Sequence, residues 1–434
     1  MRNMFIIIIL YSIIILFNCD IYDKPADSDT NDKTGYIVTN IPTEIVPISE
    51  INNFQRNTPL KIRLNRFGFT VREYNVILEY SNGSSIMIRK LDNITIGAGD
   101  SGSPVLTKDG RLVGALWAAY YYNGDQYIAR AMETVMAMDD RNSRGIAENN
   151  RFLENPYVEL PVVVTSTGIH ASFFKRFSGP YANALVEFMH IQEGIKNVPL
   201  TMDVKQNLRS INDLNIIPGM SICILNMESE DFGPIFSAGT ISSIAGNNYY
   251  AYAHSYGDNY FDTSLYGMPA YLGYLGIMVE SLYMPRKKTY KTDRKLGVLD
   301  IDDNSGIRVS DQNSEKSFSV TVKVTVDSIA SKEYELTVYN DPDIRHEYMV
   351  ARLAGMIPID HELDSRDYAG TATGSMIMEF SGATLNITID CQDYQSIAKA
   401  INTLILEQFY DADEKLLRGD HFKSFDINVY ITTG

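Results

Sequence analysis

Most of this chain alternates short apolar runs with turn residues, which predicts strands more often than helices. Ser103 to Leu116 is two apolar runs around Asp109-Gly110, and this pattern predicts a hairpin. A second hairpin is predicted from Gly239-Thr240-Ile241 through Ala245-Gly246-Asn247-Asn248 to Tyr252-Ala253-His254. Between them, Leu185, Phe188, Met189 and Ile191 recur at near-helical spacing, so Tyr181 to Ile195 is expected to be a helix. Past Ser310 the pattern changes to strict alternation. Phe318, Val320, Val322, Val324 and Val326 share one strand face, as do Leu385, Ile387 and Ile389, and Phe425, Ile427, Val429 and Ile431. A helix with Ile397, Ile401, Leu404, Ile405 and Phe409 on one face should separate the last two, with Asp393 as its N-cap. Residues 311–434 thus read as an appended α+β module on a mainly β chain with some α.

The amino terminus departs from this pattern. Phe5 to Phe17 is apolar except for Ser12 and follows the basic Arg2. A membrane span needs about 20 residues, so this shorter run reads as an export signal. It ends in Leu16-Phe17-Asn18-Cys19, which resembles a bacterial lipobox, with Asn18 in place of the usual small residue. Residues 1–18 are therefore expected to be a signal peptide and Cys19 a site of acylation. Several acyl chains would then hold the protein at a membrane surface. Asp20 to Gly35 is polar and suits a tether, giving a lipidated segment over 19–50 with folded structure expected to start near Tyr36 to Ile48.

Composition narrows the function classes. The chain has 434 residues, 38 Lys plus Arg against 54 Asp plus Glu, and a formal net charge of −16. Such an acidic balance argues against nucleic acid as a partner, because phosphate binding needs clustered cations. With three cysteines the chain is no disulfide scaffold, and Cys223 and Cys391 read as buried free thiols. No phosphate loop, dinucleotide fingerprint or metal-ligand spacing occurs, so no cofactor is expected. His170, His190, His346, His361 and His421 are scattered and read as packing or surface residues.

The chemistry concentrates in Gly97-Ala98-Gly99-Asp100-Ser101-Gly102-Ser103-Pro104. A nucleophilic serine needs a tight turn whose backbone N–H groups face the developing oxyanion, and glycines allow such a turn. Ser101 is the candidate nucleophile, and the N–H groups of Gly99 and Ser101 are the candidate oxyanion donors. This stretch resembles the chymotrypsin-like serine peptidases. It resembles most closely the SpoIVB-type serine peptidases, whose serine turn is followed by an apolar strand, a polar turn and Leu-Val-Gly-Ala, as in Leu112 to Ala115. Pro218-Gly219, Gly239-Thr240-Ile241, Gly246-Asn247 and Ala253-His254 follow that family's second series of motifs, although the family has Gly-His-Pro where this chain has Ala253-His254-Ser255.

The resemblance implies a chymotrypsin-like double β-barrel, with a serine-bearing half over 51–150 and a histidine-bearing half over 151–310. It implies His254 as general base and Asp92 as the acid orienting it, with Asp258 in reserve. Asp100 is not the triad acid. In trypsin-like enzymes the equivalent residue pairs with a freed amino terminus, which an acylated Cys19 would not supply. The implied activity is a membrane-anchored, extracytoplasmic serine endopeptidase acting on protein or peptide substrates. The alternative is a non-catalytic surface lipoprotein that keeps the fold and binds a partner.

Overall fold

The computed structural model describes residues 35–120, 125–139, 157–160, 163–166, 173, 213–255, 267–279, 285–339, 348–364, 366–417 and 422–434. The expected helix over 181–195, Cys19, Asp258 and four of the six histidines lie outside these residues.

The first sheet holds β1 (Tyr36–Ile37), β2 (Pro59–Phe67), β3 (Thr70–Asn82), β4 (Ser85–Lys90), β5 (Pro104–Thr107), β6 (Leu112–Tyr120), β7 (Gln126–Ala131) and β8 (Tyr157–Glu159). Its pairings run β3-β2-β5-β6-β7-β4 and return from β4 to β3, so six antiparallel strands close into a barrel among the described residues. Leu60, Ile62, Leu64, Val76, Leu78, Ile86, Ile88, Val105 and Leu116 fill it. The expected hairpin forms β5 and β6. Its turn is closed by the Gly110 N–H on the Thr107 carbonyl at 3.1 Å, with Gly110 at φ +93°. Ahead of β2, β1 pairs with β3, Ile45 bridges Leu112, and α1 (Ile48–Ile51) buries Ile51.

The second sheet holds β9 (Val163–Ser166), β10 (Ser221–Glu228), β11 (Ile235–Ala245), β12 (Asn248–Ala251), β13 (Met268–Val279), β14 (Arg286–Asp303) and β15 (Gly306–Ser310). Six of these also pair round to their starting point, in the order β10-β13-β14-β15-β12-β11. β8 lies past the expected division at residue 150 yet pairs with β6, and β9 pairs with β11 of the second sheet. The two bodies meet through a bridge between Gly68 and Leu275 and through an apolar cluster. That cluster joins Leu106, Leu112 and Ala115 to α2 (Met132–Met136) and to Tyr250, Ala253 and Ile301.

The carboxyl-terminal module continues the second sheet with β16 (Ser317–Val326), β17 (Lys332–Tyr339), β18 (Gly370–Phe380), β19 (Thr384–Tyr394) and β20 (Phe422–Thr433). β16 and β20 run parallel with Val320, Val322 and Val324 opposite Phe425, Ile427 and Val429. Their common apolar face is covered by α3 (Tyr348–Glu362) and α4 (Ile397–Leu417). Asp393 is not the N-cap, because β19 runs on through Tyr394 and α4 starts at Ile397. The pairing of Tyr394 with Gly370 of β18 carries the strand past that residue, a long-range preference that overrides its local capping tendency. Cys223 and Cys391 are free and buried.

Candidate functional site

The segment Gly97 to Ser103 is two consecutive tight turns. The Asp100 N–H donates to the Gly97 carbonyl and the Ser103 N–H to the Asp100 carbonyl, each at 3.0 Å. Gly99 at φ +83° and Gly102 at φ +90° occupy the third position of each turn, where a type II turn requires positive φ. The carbonyls from Gly97 to Ser101 are all engaged. That of Ala98 accepts from the Lys287 N–H at 3.0 Å, that of Gly99 from the Thr240 hydroxyl at 2.9 Å, and that of Ser101 from the Thr240 N–H at 2.9 Å.

These bonds also aim the donors. In a trans peptide the C=O and N–H point in opposite directions, so fixing the Ala98 and Asp100 carbonyls fixes the N–H groups of Gly99 and Ser101. Among the described residues neither of these two N–H groups donates a hydrogen bond, whereas those of Asp100, Gly102 and Ser103 all do. Two buried, oriented and unused donors are what an oxyanion site requires. The Ser101 hydroxyl is also buried and has no hydrogen-bond partner.

Asp100 anchors the turn from below. Its carboxylate receives Arg66 of β2 at 3.1 Å, Lys287 of β14 at 2.9 Å and the Gly97 N–H at 3.0 Å. The Lys287 ammonium donates in addition to the Thr240 hydroxyl at 2.9 Å, so one buried lysine holds both the acid and the group that binds the Gly99 carbonyl. Burial alone would raise the Asp100 carboxyl, but Arg66 and Lys287 beside it hold it below the usual carboxylate range. Burial lowers the Lys287 ammonium below the usual lysine range, with Asp100 opposing the shift and Arg66 adding to it.

His254 follows the second hairpin directly. Tyr252 and Ala253 leave β12 at φ +68° and +57°, left-handed backbone that is uncommon without glycine. Arg130 of β7 donates to the Ala253 carbonyl at 2.7 Å and to the Asn304 carbonyl, tying this bend to the first barrel. The bend lies against the serine turn, since a Cβ on Gly102 would fall 2.6 Å from the Tyr252 nitrogen. The buried imidazole has Nδ1 at 2.7 Å from the Ser255 carbonyl and Nε2 at 3.1 Å from the Leu160 carbonyl.

The structure thus brings Gly99, Ser101 and the His254 bend to one seam between the barrels, without a hydrogen bond from Ser101 to His254. Asp92 stands apart from the imidazole: its carboxylate accepts from the Asn75 N–H at 2.7 Å and from the Asn75 side-chain amide at 3.3 Å. His361 is solvent-exposed and packs edge-on against Phe232. The reading from sequence missed Lys287, Arg66, Thr240 and Leu160. A lysine within Arg286-Lys287-Lys288 reads as solvated, and only the β14 pleat turns Lys287 inward. One signal was available: a buried aspartate beside the serine requires a cation.

Compared with protein-family models, curated proteins and solved structures, the chain matches none. Among the described residues no helix is long and apolar enough to cross a membrane.

Proposed function

We propose that this chain is a serine endopeptidase of the SpoIVB type, exported and held at a bacterial membrane through acylated Cys19. The observation that carries the reading is the serine turn, with every carbonyl from Ala98 to Ser101 engaged and the Gly99 and Ser101 N–H groups left over. Two antiparallel strand circuits with this turn at their seam support a chymotrypsin-like arrangement. In the reaction, His254 accepts the Ser101 proton as the hydroxyl attacks a peptide carbonyl, and the two N–H groups hold the oxyanion. The imidazolium then protonates the leaving amine, and water hydrolyses the acyl-enzyme. Nε2 must first leave the Leu160 carbonyl and carry no proton of its own, with the single ring N–H kept at Nδ1 on the Ser255 carbonyl. Asp92 has no part in this scheme, because Asn75 holds its carboxylate and the Ser255 carbonyl holds Nδ1.

A second reading, a non-catalytic binding lipoprotein, is favoured by one observation: Ser101 is wholly buried and unpartnered. A fluorophosphonate probe separates the two. Labelling that disappears in Ser101→Ala and falls at least about a thousandfold in His254→Ala supports the peptidase. A folded protein that does not label even when Leu160→Gly loosens the strand against His254 supports the binding protein. For the anchor, Cys19→Ala should move the protein from the detergent phase to the aqueous phase, and unchanged partitioning would rule out acylation there.

A further inference from the structure

The strands β8 and β9 lie where a peptide substrate would have to lie. β6 gives one edge to β7 over Gly114 to Ala119, so its remaining edge carries β5, the serine turn and β8 in succession. The serine turn bonds there through the Gly102 N–H on the Leu116 carbonyl at 2.7 Å and the Leu116 N–H on the Ser103 carbonyl at 2.9 Å. Immediately beyond, β8 pairs antiparallel with Ala118, Ala119 and Tyr120, and the Leu160 N–H extends the ladder to the Trp117 carbonyl at 2.8 Å. Leu160 is buried in the apolar cluster of the first barrel, and its carbonyl faces His254 Nε2.

On the other side of the seam, Val163 is buried with a side-chain methyl 3.2 Å from where a Cβ on Gly99 would stand. From there β9 pairs antiparallel with Ile235 to Ala238 of β11. Strand addition of this kind is how extended peptides are bound, with backbone hydrogen bonds for affinity and side-chain seats for selectivity. Here the same elements hold a strand on each side of Ser101 and His254.

We propose that Tyr157–Leu160 and Val163–Ser166 are a resident occupant of the peptide groove, a pseudo-substrate that the chain itself supplies. It keeps Ser101 closed and Nε2 engaged until an extended peptide with a branched apolar residue in the place of Leu160 displaces it. The inference rests on the peptidase reading for the word substrate, but its test needs no catalysis.

Ser101→Cys places a thiol at the serine position, and its alkylation by iodoacetamide can be followed by peptide mass mapping, with buried Cys223 as a control within the same molecule. The introduced thiol should be protected in the otherwise native chain. Adding Leu160→Ala or Leu160→Gly should speed its alkylation at least about tenfold while Cys223 stays protected. No acceleration in either variant, or acceleration at Cys223 in parallel, would overturn the proposal, the latter by reducing Leu160 to a core residue. Selective acceleration together with no fluorophosphonate uptake by the Leu160→Ala and Leu160→Gly chains that retain Ser101 would keep the groove occupant and remove the peptidase.

Discussion

At the scale of single residues, Asp100 carries the largest consequence. Two cations from different barrels converge on it, and all three side chains are buried. Asp100→Asn would leave Arg66 and Lys287 without their counter-ion, which should cost about 3–5 kcal/mol in urea unfolding at neutral pH. The pH dependence follows from the direction of the shift. The folded carboxyl lies below its unfolded value of about 3.9, so its contribution is complete above that pH and is lost as pH falls through the folded value. The native protein should therefore lose stability more steeply on acidification than Asp100→Asn. Equal slopes for the two would show that Asp100 does not act through its charge. Ala253 offers the opposite case. It adopts φ +57° where the resembling family has glycine, so Ala253→Gly should stabilise the fold by about 1 kcal/mol.

At the scale of elements, the serine turn is fixed by what surrounds it as much as by its glycines. Gly102 and Gly110 both have positive φ, but a Cβ at Gly110 meets nothing within 4 Å. At Gly102 it would fall 2.1 Å from the Thr240 carbonyl oxygen, which belongs to the other barrel. Gly110→Ala should cost about 1 kcal/mol, a conformational penalty alone. Gly102→Ala should cost about 4 kcal/mol or more, because backbone must move. Parallel denaturant titrations would decide, and similar costs would show that the turn is not wedged between the barrels. Both hairpins and the alternating strands were legible in the sequence, because turn chemistry and side-chain period are local. The misassigned cap at Asp393 shows the limit: strand pairing with β18 claimed a residue whose neighbours favoured a helix start.

For the whole molecule, the carboxyl-terminal module is more than an appendage. β17 pairs with the end of β10, and Met227, Phe232 and Ile235 of the second body are buried in the same cluster as the module's strands and helices. A chain ending at residue 316 should expose those three side chains. It should melt at least about 5 °C lower than the full chain and bind a hydrophobic dye before melting. An unchanged melting temperature would mean that the module folds and functions separately.

The sequence by itself determined the strand-rich character, both hairpins, the alternating faces of the last module and the two-glycine turn around Ser101. Each of these depends on neighbours within a few residues, through backbone sterics or side-chain alternation. It also singled out His254 and placed Cys19 just after the apolar run Phe5 to Phe17. Only the tertiary structure decided which cations answer Asp100, which carbonyls hold the His254 ring, and that Asn75 takes Asp92. It alone joined β8 to one barrel and β9 to the other. Those outcomes depend on groups brought together from distant parts of the chain, where burial makes each unpaired charge or carbonyl costly, and no local pattern records which partner will arrive.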